Sequence, residues 1–108
     1  MVRNTIKKSQ KSCSIKDVLD IIGGKWAMPI IYNLSKGKLR FKEIERTIEG
    51  INTRMLVKEL KNLEANGIIT RKVFASVPPA VEYTLTHKGE KLLPSIKSLH
   101  QWGQEFAT

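Results

Sequence analysis

The sequence predicts an α+β fold that is mostly α, and three observations support this prediction. Up to about residue 65, apolar residues recur at helical spacing in several short segments. Between residues 68 and 85, two runs rich in β-branched and aromatic residues surround a turn that contains two prolines. Helical spacing returns from residue 87 onward. The pattern therefore indicates a set of helices and one β-hairpin.

Composition limits the size of the domain and the class of partner. The chain has 108 residues, of which 41% are hydrophobic, and this suits one domain with a modest core. It carries 19 Lys and Arg against 10 Asp and Glu, so its formal net charge is +9. Such a field favours a polyanionic partner, either nucleic acid or, as the alternative, an anionic membrane surface. Because no apolar run could span a bilayer and no signal peptide is recognisable, we expect a cytoplasmic protein without a membrane partner.

The sequence contains no recognisable catalytic or metal-binding motif. A single cysteine, Cys13, excludes an intrachain disulfide and a cysteine-rich zinc site. His87 and His100 are too far apart for a zinc motif of the HExxH type, and Gly23-Gly24 lacks the spacing of a phosphate-binding loop. We therefore expect no metal, no cofactor and no enzymatic activity.

The N-terminal part is predicted to be an arm followed by a helix. Residues 1–12 are basic and lack apolar anchors, which is typical of a flexible arm, whereas residues 13–108 form the single predicted domain. The first helix is predicted at Ile15–Ile22, because Ser14 and Asp17 have the spacing of a helix-capping box.

Three further helices are predicted before the hairpin, at residues 25–34, 40–48 and 52–65. Asn52 is a favourable N-cap for the last of them, and Gly67 is a favourable stop because glycine readily adopts the left-handed conformation. The helices at 40–48 and 52–65 are joined by a short turn containing glycine, which is the arrangement of a helix-turn-helix.

The helix at residues 52–65 has two distinct faces. Its leucines form one apolar stripe, and the opposite face is basic. A basic face on a short, anchored helix suits entry into the DNA major groove, while a merely solvated surface helix is the alternative. The residues of this helix expected to contact DNA are Asn52, Thr53, Arg54, Val57, Lys58 and Lys61.

The hairpin is predicted from strands at residues 68–74 and Ala80–Leu85 around a turn whose prolines cannot continue a ladder. A helix-turn-helix followed by a hairpin is a winged helix-turn-helix, with residues 68–85 as the wing. Arg71 and Lys72 are expected to reach the DNA backbone or the minor groove.

A last helix is predicted at residues 87–106, capped by Thr86. Its apolar stripe is longer than the core of so small a domain needs, and DNA readers of this size usually occupy two half-sites. We therefore expect a homodimer formed through added N- and C-terminal dimerisation helices, with packing inside one chain as the alternative. The predicted interface residues are Ile15, Leu19, Leu92, Ile96, Leu99, Trp102 and Phe106.

Several motifs occur together along the chain. They are Gly-Gly-Lys-Trp at residues 23–26, Pro-Pro-x-Val-Glu-Tyr at residues 78–83 and Trp-Gly at residues 102–103, with shorter matches at residues 40–44 and 60–64. In this combination the sequence resembles the HxlR-type winged-helix transcriptional regulators, relatives of the MarR group. The resemblance implies a homodimer that binds operator DNA through the helix at residues 52–65.

Two positions depart from the pattern of that family. Many relatives have Thr where this chain has Val57, which cannot donate a hydrogen bond but can meet a thymine methyl group. Many relatives have Arg or Lys where this chain has Ala80, so we assign the wing contacts to Arg71 and Lys72 instead.

Cys13 is a candidate redox sensor. Some members of the family carry a cysteine just before the first helix and use it to sense electrophiles or oxidants, and Cys13 stands at that position. A helix N-terminus, with Lys11 and Lys16 nearby, favours the thiolate form of such a residue. The predicted effector is therefore an oxidant or another small molecule, with an inert thiol as the alternative.

These observations predict a sequence-specific DNA-binding transcriptional regulator whose partners are double-stranded DNA and a second copy of the chain. The alternative is a winged-helix protein–protein interaction module without specific DNA binding. The net charge and the basic helix face argue against that alternative.

Overall fold

The computed structural model describes residues 13–107, so the predicted arm at residues 1–12 lies outside the described residues. The elements follow one another as α1 (Ile15–Ile22), α2 (Ala27–Leu34), β1 (Leu39–Arg40), α3 (Phe41–Thr47), α4 (Thr53–Ala65), β2 (Ile69–Phe74), β3 (Ala80–Leu85), α5 (His87–Glu90) and α6 (Leu93–Phe106). The α3–α4 pair followed by the β2–β3 hairpin is a winged helix-turn-helix, which confirms the predicted fold class.

Local capping signals set the predicted helix boundaries. The Ser14 hydroxyl accepts from the Asp17 amide at 3.3 Å, while the Ser14 amide donates to the Asp17 carboxylate at 3.1 Å. The Asn52 side chain accepts from the Met55 amide at 2.9 Å, which confirms the predicted cap of α4. Helix α1 therefore begins at Ile15 as predicted, and α4 begins immediately after its cap.

Helix α4 ends in a Schellman motif, and this motif turns the chain directly into the wing. Gly67 has a positive φ of 74°, as its predicted role as a stop requires. The Ile68 amide donates to the Leu63 carbonyl at 2.9 Å, and the Gly67 amide donates to the Glu64 carbonyl at 3.0 Å. Leu63 and Ile68, whose backbone groups close this turn, both have buried side chains that belong to the core.

The sheet has three antiparallel strands in the order β1-β3-β2, of which β1 was not predicted from the sequence. Leu39 and Arg40 pair with Tyr83 and Glu82 of β3, and α3 begins at the next residue. A two-residue strand has no period of its own and depends wholly on its distant partner. Strand β1 thereby ties the start of the helix-turn-helix to the root of the wing.

The predicted helix at residues 87–106 is wrong as one continuous helix, because the structure divides it into α5 and α6. Pro94 lies in the first turn of α6 and has no amide hydrogen to donate to the carbonyl of Glu90. The ring of Pro94 would also clash with that carbonyl in a continuous helix. Thr86 caps α5 as predicted, accepting from the Gly89 amide at 3.0 Å.

The core lies between α2, α3, α4 and one face of the sheet. The leucine stripe of α4 is buried, as predicted from its spacing. The largest side chains that are fully buried are Ile30, Ile31, Ile44, Leu56, Leu63, Ile68 and Ile69. This packing fixes one face of α4 and leaves its opposite face to the solvent.

Candidate nucleic-acid interface

A tight turn sets the angle between α3 and α4. Gly50 has a φ of 89°, which residues with a side chain rarely adopt. The Thr53 hydroxyl at the start of α4 donates to the carboxylate of Glu45 on α3. Thr53 therefore braces the two helices, and its hydroxyl would have to leave Glu45 before it could donate to a phosphate.

The exposed face of α4 carries the residues predicted to contact DNA. Arg54, Lys58 and Lys61 are exposed, and within residues 13–107 none of them has a carboxylate within 4.0 Å. Val57 lies among them and is also exposed. Asn52 uses its side-chain oxygen for the cap, which leaves its amide nitrogen to donate elsewhere. Met55 is exposed beside Arg54, although the sequence analysis did not include it.

A groove of about 430 Å³ lies between α4 and the wing. Its lining includes Val57 and Lys61 from α4, Arg71 and Tyr83 from the sheet, and Phe41 from the start of α3. Lys61 and Arg71 bring two cations to this groove, and Glu64 brings one carboxylate. Lys61 and Arg71 belong to separate elements, and the fold brings them to one groove.

Arg71 and Lys72 lie on opposite faces of the wing, because neighbouring residues in a strand point to opposite sides. Arg71 is opposite Tyr83 and lines the groove beside α4. Lys72 is opposite Glu82, with its ammonium group 5.2 Å from the centre of the Phe74 ring. Both residues were predicted to contact DNA, and their positions on opposite faces suit two separate contacts.

A second groove, of about 530 Å³, lies between the start of α3 and the tip of the wing. Arg40 and Lys42 line one side of it, and the uncharged residues 76–81 line the other. Val77 at the tip is fully exposed. Phe41 lines both grooves, so the two grooves adjoin at this residue.

Arg40 and Lys42 are basic residues of this second groove that the sequence analysis missed. A signal was present, because Lys38, Arg40 and Lys42 alternate immediately before and within the start of α3. The alternation by itself does not indicate a role. It can be interpreted only with β1, because the pairing of β1 with β3 places this segment beside the wing. Lys42 has a long ion pair with Glu45 at 4.0 Å, a distance at which an exposed pair contributes little.

The predicted interface residues divide into two groups. Ile96 is only 6% exposed and packs in the core of its own chain, and Leu92 is half-buried against that core. These two residues therefore offer little surface to a second copy. The other members of the predicted set are large apolar residues exposed to solvent, namely Ile15, Leu19, Leu99, Trp102 and Phe106.

Cys13 lies just before α1 and is exposed. Its thiol donates to the carbonyl of Ser14, with a sulfur–oxygen distance of 3.4 Å.

Within the described part of the chain, no group of three or more His, Cys, Asp or Glu is placed to hold a metal ion. No helix between residues 13 and 107 is long and apolar enough to cross a bilayer.

Comparison with known proteins gives consistent matches. The HxlR-like helix-turn-helix family matches residues 21–108, which include α2 to α6. An HTH-type transcriptional regulator from Methanothermobacter thermautotrophicus is 44% identical over 96 residues, covering 89% of this chain and 73% of that protein. A structure described as a MarR-family transcriptional regulator from Porphyromonas gingivalis W83 has a TM-score of 0.84 at 40% identity, covering 89% of this chain and 94% of the other.

The redox regulator HypR in its oxidized form is similar in fold and sequence. It has a TM-score of 0.82 at 43% identity, covering 86% of this chain and 96% of the HypR chain. The similarity to these proteins extends well beyond the helix-turn-helix alone, since it covers most of each chain.

Proposed function

This chain belongs to the HxlR-like helix-turn-helix family of transcriptional regulators, and we propose that it acts as a homodimer on double-stranded operator DNA. One observation carries the proposal: the exposed basic face of α4 adjoins a groove with cations from both α4 and the wing. A duplex supplies the phosphates for such a surface and a major groove wide enough for the helix.

In the proposed complex, α4 enters the major groove. Arg54 is the best candidate for a base contact, because a guanidinium binds the two acceptors of guanine in a bidentate manner. Val57 suits a thymine methyl group, and Lys58 suits a phosphate at the edge of the groove. The free amide nitrogen of Asn52 adds one neutral donor to the backbone contacts.

The DNA backbone between the major and minor grooves would lie in the groove between α4 and the wing. Lys61 and Arg71 then neutralise phosphates from its two sides. Because the wing tip carries no charge between residues 75 and 80, its contribution comes from shape and apolar contact. This assignment gives the wing a positioning role, while α4 reads the sequence.

The homodimer would form through the exposed apolar residues of α1 and α6. Each of these helices packs on α2 of its own chain. Its exposed apolar residues are left facing the solvent, where a second copy could cover them. Two copies related by a twofold axis would place two α4 helices about one helical turn, ~34 Å, apart on the same side of the duplex.

The decisive experiment is fluorescence anisotropy with the duplex upstream of the protein's own gene and with a shuffled duplex, at several salt concentrations. We expect tighter binding to the upstream duplex and a steep loss of affinity with salt. Equal binding to both would deny that this duplex contains the operator. Absence of binding at low salt would instead favour the protein–protein interaction module.

Arg54→Ala is expected to weaken binding to the operator by about 1–3 kcal/mol and binding to the shuffled duplex by less. Lys58→Ala is the matched control on the same exposed face, and it is expected to weaken binding to both duplexes alike because phosphates carry no sequence information. Equal losses for Arg54→Ala on both duplexes would mean that Arg54 contacts only the backbone.

We also propose that oxidation of Cys13 regulates DNA binding. The support is its exposure beside the start of α1, together with the similarity to HypR, which is described as a redox regulator in oxidized and reduced forms. Two Cys13 thiols of a dimer would form one disulfide, giving two electrons and two protons to the oxidant. Such a bond would tilt the dimerisation helices and change the spacing of the two α4 helices.

Treatment with diamide, which accepts those electrons and protons, is therefore expected to change the operator affinity of the wild type and to leave Cys13→Ser unchanged. Non-reducing electrophoresis should show a covalent dimer for the wild type only. Identical responses of the two proteins would show that Cys13 is inert.

A further inference from the structure

The outer face of the sheet carries a row of charged residues at the root of the wing. Arg40 on β1 and Lys72 on β2 are both directly opposite Glu82 on the central strand β3. Directly opposite residues in an antiparallel sheet share a face, with Cβ atoms about 5 Å apart. The ammonium group of Lys38 is 3.6 Å from the Glu82 carboxylate. We call Lys38, Arg40, Lys72 and Glu82 the wing-root cluster.

The cluster has three cations around one carboxylate, and the carboxylate lies deepest. The side chain of Glu82 is 18% exposed, whereas that of Lys38 is 67% exposed. Arg40 and Lys72 are also exposed, and among residues 13–107 neither the Arg40 guanidinium nor the Lys72 ammonium group has a carboxylate within 4.0 Å, although the Arg40 amide donates to the Glu43 carboxylate at 2.8 Å. The cluster therefore presents a net charge of +2 to the solvent, with its single negative charge beneath the cations.

The position of the cluster connects it to the proposed DNA surface. Arg40 lines the groove beneath the wing tip, together with Lys42. That groove adjoins the one between α4 and the wing through Phe41, which lines both. A duplex held by α4 and the wing would therefore bring its backbone to the edge of the cluster.

We propose that Lys38, Arg40 and Lys72 form an additional phosphate-binding site at the wing root, and that Glu82 limits how strongly this site binds DNA of any sequence. The inference rests on the proposed function, because it takes the DNA backbone as the ligand. It adds basic residues beyond α4 and β2, and it gives a carboxylate a role in limiting affinity that does not depend on sequence.

The physical reason is that phosphate contacts increase affinity for every duplex alike. Glu82 opposes this increase in two ways: its charge repels the phosphates, and its ion pair holds Lys38 at the sheet. Weaker contacts of this kind leave the base contacts of α4 as a larger share of the binding free energy. Glu82 therefore lowers the affinity for every duplex, including the large excess of non-operator DNA, while the ratio of specific to non-specific affinity stays with the base contacts of α4.

Glu82→Gln tests the inference, with Glu90→Gln as the control that changes the net charge equally from helix α5, outside the wing-root cluster. The measurement is anisotropy with the upstream and the shuffled duplex across a salt series. We expect Glu82→Gln to bind both the upstream and the shuffled duplex several-fold more tightly. Because Lys38 is released to contact a phosphate, the slope of log affinity against log salt should steepen by about 0.9. Glu90→Gln should behave like the wild type.

Arg40→Gln tests the same site in the opposite direction, and it should make the slope shallower by about 0.9 on both duplexes. Thermal unfolding of each variant separates a change in DNA contacts from loss of the sheet. Unchanged slopes for both Glu82→Gln and Arg40→Gln, in folded proteins that still prefer the upstream duplex, would overturn the wing-root site and leave the proposed function intact. A wild type that binds neither duplex would refute both.

Discussion

Trp102→Glu is expected to convert the protein into a monomer and to weaken operator binding by about 10²-fold or more. Trp102 is 58% exposed on α6, and its ring lies 5.7 Å from that of Phe106. A carboxylate at the centre of an apolar interface between two copies would be buried without a partner. Without a dimer, each α4 binds one half-site alone and the gain from linked binding is lost.

Gln101→Glu is the matched control, because it adds the same charge one residue away on α6. Gln101 is exposed, and one helical step turns it about 100° away from Trp102. We expect this variant to remain dimeric and to keep most of its operator affinity. Light scattering after size exclusion measures the mass of each variant, and anisotropy measures its affinity. A dimeric Trp102→Glu would place the interface elsewhere on the molecule.

The helices that the sequence predicted well are those with local signals at both ends. Ser14, Asn52 and Gly67 act within a few residues of themselves, so their hydrogen bonds and backbone conformation follow from the neighbouring sequence. The break between α5 and α6 also had a local cause in Pro94, but the regular apolar spacing around it pointed to one helix. The periodicity identified the helical segment but did not indicate the break between α5 and α6.

Long-range pairing accounts for what the sequence could not reveal about the candidate site. The basic face of α4 follows from helical spacing alone. By contrast, the row formed by Arg40, Glu82 and Lys72 depends on the register of three strands, one of which is two residues long. The separation of Arg71 from Lys72 could have been predicted from strand alternation, but the groove that Arg71 shares with Lys61 required the packing of α4 against the wing.

Gly89→Ala is expected to lower the free energy of unfolding by about 3 kcal/mol, the upper end of the usual cost of overpacking. A Cβ atom at Gly89 would lie 2.2 Å from the carbonyl oxygen of Ile68. That oxygen cannot move away freely, because it accepts from the Thr86 amide at 3.0 Å, and the Thr86 hydroxyl holds the adjacent carbonyl of Gly67 at 2.6 Å. Helix α5 therefore packs against the junction between α4 and the wing at a distance that only glycine allows.

Gly103→Ala, within α6, is expected to raise the free energy of unfolding. A Cβ atom there would meet nothing within 4 Å, and alanine favours a helix over glycine by about 0.5–1 kcal/mol. Thermal unfolding at one fixed protein concentration compares the two variants, since the proposed dimerisation would make the midpoint depend on concentration. We expect Tm to fall by about 10–20 °C for Gly89→Ala and to rise by a few degrees for Gly103→Ala. If Gly89→Ala unfolded like the wild type, α5 would be able to shift to make room for the methyl group. Its packing would then not fix the position of the wing relative to α4.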